Sequence, residues 1–152
     1  MSTRVARLED LEAVSSLNQE LFKHDSVFDK QLVLNWPKTE EGQEYFTHHI
    51  IDADKVCVVV EDAGIIVGYL TGSLTVDATR NGLVASLNNM LVMPNFHKQG
   101  FGTSLFAAFK KWATTKNVDR ISVSAYSENV EALNFYKSVG FQPLAETFEI
   151  EL

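Results

Sequence analysis

The part of the chain best suited to bind a ligand joins the end of a predicted strand to the start of a predicted helix. It reads Met93-Pro94-Asn95-Phe96-His97-Lys98-Gln99-Gly100-Phe101-Gly102-Thr103. Two glycines one residue apart let the backbone turn tightly and approach a ligand, and the free N–H groups of the first helical turn then point at it. Lys98 adds a positive charge. We call residues 97–103 the glycine turn and predict that it binds an anion; a turn that only connects strand and helix is the alternative.

The glycine turn does not match the two common nucleotide-binding motifs. It has no Gly-Lys-Ser/Thr ending, which a P-loop requires, and no third glycine at the spacing of a dinucleotide fold. The sequence therefore argues against a P-loop-like nucleotide binder.

A second segment follows the next predicted strand and reads Asn129-Val130-Glu131-Ala132-Leu133-Asn134-Phe135-Tyr136-Lys137-Ser138-Val139-Gly140-Phe141. Asn129 and Tyr136 are seven residues apart, so a helix places them on nearly the same face, two turns from each other. A tyrosine on a helix is usually a packing or surface residue. Its pairing with a glycine turn about thirty residues upstream favours a functional role.

Together these segments resemble the GNAT superfamily of acetyl-CoA-dependent N-acetyltransferases. The family signature Arg/Gln-x-x-Gly-x-Gly/Ala corresponds to residues 97–102, where His97 replaces the usual Arg or Gln. The resemblance covers essentially the whole chain and is strongest over residues 87–141. The family pattern Asn-x-x-Ala-x-x-Phe-Tyr-x-x-x-Gly-Phe is matched at Asn129, Ala132, Phe135, Tyr136, Gly140 and Phe141.

The resemblance implies a transferase with acetyl-CoA as cosubstrate and without a metal. Acetyl-CoA would lie in a V-shaped opening between the strands Val84–Met93 and Arg120–Tyr126. Its pyrophosphate would rest on the amides of residues 99–103, its pantetheine would pair with residues 91–93, and Tyr136 would protonate the leaving thiolate. The implied cofactor-binding residues are Leu91, Val92, Met93, His97, Lys98, Gln99, Gly100, Phe101, Gly102, Thr103 and Asn129.

The sequence names no general base. An ammonium group is not a nucleophile, so the amine must lose a proton before it attacks. Many relatives carry a Glu or Asp on the strand before the glycine turn, where this chain has Asn88 and Asn89. Water, or a carboxylate or imidazole from elsewhere, would have to serve; the candidates by residue type are His24, His48, His49, Asp25, Asp29 and Glu44.

Residues 24–43 occupy the position that sets substrate choice in the family. They combine acids with aromatic side chains, a combination that suits an amine through ion pairing and cation–π contact. We therefore expect a small cationic amine as substrate. A protein or peptide amine is the next hypothesis, and a non-catalytic acyl-CoA-binding or sensing module is the alternative from another class. The residues concerned are Asp25, Asp29, Glu40, Glu41, Phe28 and Trp36.

Hydrophobic periodicity predicts the elements that must position these groups. A mixed α/β sheet is expected, in which an antiparallel N-terminal meander continues into a parallel βαβ unit, with helices on both faces, as in a GNAT-like fold. The predicted strands are Thr3–Arg7, Val56–Val60, Ile65–Val76, Val84–Met93, Arg120–Tyr126 and Thr147–Leu152. The predicted helices are Leu8–Lys23, one opened by Thr39–Glu44, Gly100–Asn117 and Asn129–Val139.

Length and composition agree with one acetyltransferase domain over residues 1–152. The formal net charge of −7 argues against a nucleic-acid partner, and no apolar run approaches the length of a membrane span. We expect a soluble cytoplasmic protein. The single cysteine, Cys57, suggests core packing rather than a covalent nucleophile, and His48-His49 has no third ligand for a metal. The alternating residues 147–152 suggest a homodimer.

Overall fold

The computed structural model describes all residues from 1 to 152, which form one mixed sheet with helices on both faces. No helix combines the length and the apolar character needed to cross a bilayer. Three single-turn 3₁₀ helices, at residues 8–10, 36–38 and 94–96, connect the longer elements. The strands are β1 Ser2–Val5, β2 Lys55–Asp62, β3 Ile65–Thr75, β4 Val84–Val92 and β5 Arg120–Val123, and the helices are α1 Leu11–Asp25, α2 Glu40–Ile51, α3 Phe101–Thr115 and α4 Val130–Ser138.

The five strands lie in sequence order, β1-β2-β3-β4-β5. The first four pair antiparallel, and β4 pairs with β5 in parallel through the crossover helix α3. The predicted meander followed by a parallel unit is therefore confirmed. Thr39 is the N-cap of α2, at the predicted start of this helix, since its side-chain oxygen accepts a hydrogen bond from the Gly42 amide at 3.2 Å.

The sheet is buried on both faces because successive side chains of a strand point to opposite sides. In β2, Val56, Val58 and Val60 belong to the core under α3. Cys57 and Val59 belong to the core under α1 and α2. The run of β-branched residues in this strand is thus explained by helices on both faces, as predicted. Cys57 is fully buried, and burial raises its thiol pKa to about 12, which agrees with a packing role.

The predicted strand Thr147–Leu152 is wrong for the single chain. Residues 142–152 form no regular secondary structure and are exposed, and none of their backbone groups makes a hydrogen bond. The alternation of apolar and acidic residues is present, but a strand needs a partner, and these residues pair with no strand of the same chain. Phe148 and Ile150 therefore remain 86% and 85% exposed.

Gly72 of β3 sets how closely α3 approaches the sheet. A Cβ atom at this position would lie 2.2 Å from Cε2 of Phe109, a side chain that is fully buried. The absence of a side chain lets the Phe109 ring rest directly on the strand. Because α3 begins at the glycine turn, this contact also fixes the position of that turn.

We expect Gly72→Ala to lower the free energy of unfolding by about 2 kcal/mol, since an added methyl group in a filled core forces its neighbours apart. Phe109→Leu removes the ring atoms that would clash. The double variant should therefore lose less free energy of unfolding than the two single variants lose when their separate losses are added. Urea unfolding of the four proteins measures this coupling, and strictly additive losses would contradict it.

Candidate active site

The site is built where β4 and β5 stop pairing. Their parallel ladder runs from Val84 and Arg120 to Leu87 and Val123 and ends there, whereas β4 continues to Val92. At the same point the register between β3 and β4 shifts, because Thr71 pairs with Asn89 and Gly72 with Leu87. Asn88 is therefore an extra residue in β4, a β-bulge that bends the strand away from its neighbour. Pairing of the two strands therefore ends at the position where the family resemblance implies an opening for the cofactor.

Beyond the bulge, one edge of β4 has no neighbouring strand. The Met93 amide donates to the Val67 carbonyl at 2.9 Å, so the backbone groups of Met93 and Leu91 face β3, since this orientation repeats every second residue. Those of Val92 face the open edge. The Val92 carbonyl lies 2.6 Å from Nε2 of His97. Of the three residues expected along the pantetheine, Val92 alone thus presents both of its backbone groups to the opening.

The glycine turn leaves a row of backbone donors free. Gly100 precedes α3 with a φ of +88°, and Lys98 also lies in the left-handed region, with a φ of +58°. None of the amides of residues 98–103 donates a hydrogen bond to the protein, and the first amide of this region that does so is that of Ser104, to the Gly100 carbonyl. Free N–H groups at and just before a helix N-terminus are donors of the kind that bind anions.

Small side chains are needed where the glycine turn meets the rest of the site. A Cβ atom on Gly102 would lie 3.3 Å from atoms of both Met90 and Phe135. This residue therefore packs between β4 and α4. His97 joins the same two elements, because its Nδ1 lies 3.0 Å from the Glu131 carboxylate of α4 while its Nε2 faces Val92.

Tyr136 lies on α4 between two aromatic rings. Its ring packs edge-on against Phe135 and Phe141, each at a centroid distance of 5.6 Å. Its hydroxyl has no hydrogen-bond partner in the protein. Burial, with a smaller contribution from the negative charge of Asp25, raises the Tyr136 pKa to about 12. The phenol is therefore protonated at neutral pH and has a proton to donate.

Asn129 caps α4, and its Oδ1 accepts a hydrogen bond from the Ala132 amide at 3.1 Å. A neighbouring loop residue, Tyr126, holds the segment between α1 and α2 in place. Its ring stacks on Phe28 at 5.9 Å, and its hydroxyl donates to Asp29 at 3.1 Å. Tyr126 was not singled out from the sequence, and no motif marks it.

A cleft of about 610 Å³ opens where the pairing of β4 with β5 ends, since residues 86–89 and 122–124 line it. Three aromatic side chains line it, those of Phe22, Trp36 and Tyr45, together with Asn88 and Asn89 of β4. Of the residues expected to recognise an amine, Trp36 lines the cleft, whereas Glu40 and Glu41 are exposed at the start of α2. None of the residues lining the cleft is a carboxylate or a histidine; the others are Gln31, Leu32, Val33, Ser86, Leu87, Ser122, Val123 and Ser124.

A buried polar network supports the wall of this cleft. Nδ2 of Asn89 donates to the Tyr45 hydroxyl at 2.8 Å and to the Thr71 hydroxyl at 3.0 Å. Nδ2 of Asn18, a residue of α1 that is fully buried, donates to the Tyr69 hydroxyl at 2.6 Å and to Oδ1 of Asn89 at 3.4 Å. These bonds fix the orientation of Asn89, so this residue presents a defined polar surface to the cleft.

The candidate bases by residue type are dispersed. His24 lies against Asp25 at 3.0 Å and is exposed, and His48 lies against Asp52 at 3.1 Å. Glu44 is exposed on α2. His49 alone is buried and reaches a residue of the cleft, because its Nε2 is 3.0 Å from Asn88. Sequence reasoning named His49 only by its type, since a contact between residues 39 positions apart leaves no local pattern.

Comparisons with known proteins give a family match and similar folds. A family model described as the acetyltransferase (GNAT) family matches residues 14–141. The chain is 23% identical over 134 residues to aminoglycoside N(6')-acetyltransferase type 1 of Salmonella enteritidis. This alignment covers 85% of this chain and 90% of that protein.

Two solved structures share the fold. A variant of the BH1408 protein from Bacillus halodurans superimposes with a TM-score of 0.88 at 22% identity, over 100% of this chain and 99% of that one. The aminoglycoside acetyltransferase AAC(6')-Iy, in complex with the bisubstrate analogue CoA-S-monomethyl-acetylneamine, superimposes with a TM-score of 0.78 at 17% identity, over 99% and 97% of the two chains.

Burial predicts an unusual alkaline titration of the phenols. It raises the pKa of each of the four tyrosines, Tyr45, Tyr69, Tyr126 and Tyr136, above the ordinary value. Near pH 10.5 an unperturbed phenol is mostly ionised. At that pH we expect the folded chain to show less than half of the phenolate absorbance that the same chain shows when unfolded in urea. Equal absorbance in the two states would contradict this prediction.

Proposed function

Because the chain belongs to the acetyltransferase (GNAT) family, we propose that it transfers an acetyl group from acetyl-CoA to a primary amine by direct attack in a ternary complex. The observation that carries the proposal is the row of six free amides beside an unpaired strand edge. The first feature suits a pyrophosphate, and the second suits an extended chain with amide groups. Acetyl-CoA offers both.

In this arrangement the glycine turn binds the pyrophosphate through the amides of Gln99, Gly100, Phe101, Gly102 and Thr103, and Lys98 adds its charge. The pantetheine lies along Leu91–Met93 and uses the two backbone groups of Val92. The His97 ring contacts the Val92 carbonyl. When the cofactor binds, this ring either moves away or shares the carbonyl oxygen with the cofactor. The free Nδ2 of Asn129 contacts the cofactor arm, since its Oδ1 serves the helix cap.

The reaction takes place where the pantetheine, lying along β4, meets Tyr136 of α4. The amine nitrogen attacks the thioester carbonyl, the C–N bond forms and the C–S bond breaks, and the thiolate takes its proton from Tyr136. Because its pKa is raised, Tyr136 holds this proton at neutral pH and transfers it to the adjacent sulfur as negative charge develops there. The phenolate then regains a proton from water. The excess proton of the amine leaves to water. Holding the two reactants together supplies much of the rate enhancement, about 7–11 kcal/mol in well-oriented systems.

The cleft supports a small cationic amine as the acceptor. Phe22 and Trp36 stack at 5.9 Å, and aromatic faces of this kind attract organic cations. The chain also aligns over 90% of a relative named for acetylation of aminoglycosides, which are small molecules with several amines. A protein or peptide amine is the competing acceptor, and the same cleft would then hold a single side chain or terminus.

The proposal predicts release of CoA from acetyl-CoA in the presence of one class of amine. A thiol reagent follows the release with polyamines, aminoglycosides, amino acids and a lysine peptide. We expect Tyr136→Phe to lower kcat about a hundredfold, within the range of general acid catalysis, with little change in acetyl-CoA affinity. Tyr126→Phe is the matched control, because the Tyr126 hydroxyl is bonded to Asp29; its kcat should fall far less.

The alternatives give different outcomes in the same assay. Turnover on the peptide alone would assign a protein amine as substrate. Acetyl-CoA binding by calorimetry without turnover on any acceptor would favour a non-catalytic acyl-CoA-binding module. Absence of acetyl-CoA binding would refute the proposed role of the glycine turn.

We also propose that two copies of the chain pair through residues 147–152. Phe148, Ile150 and Leu152 alternate with two glutamates and are exposed, while the outer edge of β5 has no neighbouring strand. No residue of α4 or β5 is fully buried, so the core is incompletely covered on this side. A strand from a second copy would pair with β5 and bury apolar side chains there.

This pairing predicts that Ile150→Lys converts a dimer into a monomer in analytical ultracentrifugation, because it places a charge on the buried face of the added strand. The fold of the single chain should be unaffected, since Ile150 is exposed within it. Ile65→Lys is the control, because Ile65 is 67% exposed at the far end of the β2–β3 hairpin. A monomeric unsubstituted chain would refute the proposal.

A further inference from the structure

His49 of α2 lies directly behind the bulge of β4. It is 3% exposed, and its ring packs against that of Tyr45 at a centroid distance of 4.2 Å. Nδ1 is 2.8 Å from the Tyr45 carbonyl oxygen, and Nε2 is 3.0 Å from Oδ1 of Asn88. Asn88 lines both the active-site cleft and a second cavity, of about 470 Å³, which His49 also lines. The imidazole is therefore separated from the cleft by one side chain, that of Asn88.

The hydrogen-bond chemistry links the charge of His49 to the orientation of Asn88. The Tyr45 carbonyl only accepts, so Nδ1 carries a hydrogen in every state of the ring. When Nε2 also carries a hydrogen, it donates to Oδ1 of Asn88, the atom that lies nearest to it in the structure. When the ring is neutral, Nε2 only accepts, and its partner must be the NH₂ group of Asn88. A half-turn of the amide exchanges the two.

The surroundings favour the neutral ring. Burial has the largest effect on the His49 pKa and lowers it. The hydrogen bonds to the Tyr45 carbonyl and to Asn88 raise this pKa without reversing the direction of the shift, and the positive charge of Lys55 on β2 lowers it further. The carboxylate of Asp52 acts in the opposite direction, but Asp52 is itself paired with His48 at 3.1 Å and with Lys55 at 3.6 Å. Together with Tyr45, these are the titratable groups that line the cavity around the ring.

We propose that His49 is a positioning residue that holds the Asn88 amide by its NH₂ group and so turns Oδ1 of Asn88 into the cleft, where it accepts a hydrogen bond from the substrate amine. This inference rests on the proposed function and names a recognition group for its acceptor. An N–H of the amine donates to the amide oxygen, and the nitrogen lone pair is left free to attack the thioester. Asn88 thus supplies part of what a carboxylate on β4 would supply, namely an acceptor oxygen without the charge.

Protonation of His49 reverses this arrangement. The imidazolium takes Oδ1 of Asn88 for itself, and the NH₂ group turns to the cleft, where a donor meets the N–H groups of the amine. The amine is then bound less tightly. The KM for the amine, corrected for its own ionised fraction, should therefore rise on acidification, while the KM for acetyl-CoA stays constant.

The inference is tested with the full chain and the best amine found in the panel. Asn88→Leu keeps the size of the side chain and removes the acceptor, and it should raise the KM for the amine about tenfold, the value of one hydrogen bond. His49→Gln keeps a polar amide that does not titrate, so it should retain the amine KM at neutral pH and abolish its rise on acidification. His49→Leu should raise the amine KM at every pH.

Nuclear magnetic resonance supplies a readout independent of turnover. Nitrogen-15 spectra of the histidine rings should show His49 with its hydrogen on Nδ1 alone at pH 8, and the Asn88 NH₂ resonances should shift with the same midpoint as His49. An Asn88→Leu variant with an unchanged amine KM, or Asn88 resonances that do not follow His49, would overturn the inference while leaving the acetyltransferase proposal intact. Lack of turnover on every acceptor would overturn both.

Discussion

The interrupted pairing of β4 with β5 is the constraint on which the site depends. A parallel pair held by four residues on each strand fixes the two strands at one end, and the bulge at Asn88 bends one of them away at the other. Backbone groups that would otherwise pair are left for a ligand, which is the general reason why strands that diverge form binding sites. The glycine turn follows at the end of the diverging strand, so the free amides and the open edge belong to one continuous surface.

The rest of the molecule keeps that opening rigid. Valines of β2 are buried on both faces of the sheet, and β3, between β2 and β4, carries the Gly72 contact that seats α3. On the opposite face, the network from Asn18 to Asn89 joins α1 to the bulged strand. A ligand that binds between β4 and β5 therefore meets preformed walls and spends little of its binding energy on ordering them.

Local sequence patterns predicted much of this arrangement, whereas the features that depend on contacts between distant residues were not predictable in this way. Period-two and helical spacing located the four antiparallel strands, the parallel strand and the four helices within a few residues, and the glycine turn was evident from residue types alone. The bulge was not, because it depends on which residue of β3 faces which residue of β4. The strand predicted at residues 147–152 was wrong, because an alternating pattern does not show whether a partner strand is present. His49 and Tyr126 act through contacts between distant parts of the sequence.

The uncharged lining of the cleft affects which protonation form of the amine binds there. Burying an ammonium beside neutral amides costs more than burying a free amine, so the position next to Asn88 favours the form of the substrate that is already a nucleophile. The cost falls on affinity, because the free amine is the minor species at neutral pH. A substrate with several amines offsets that cost when a second, charged group rests on the aromatic faces of Phe22 and Trp36. The lack of a carboxylate on β4 and the aromatic wall of the cleft are thus both compatible with the substrate that we propose, if that small molecule carries more than one amine.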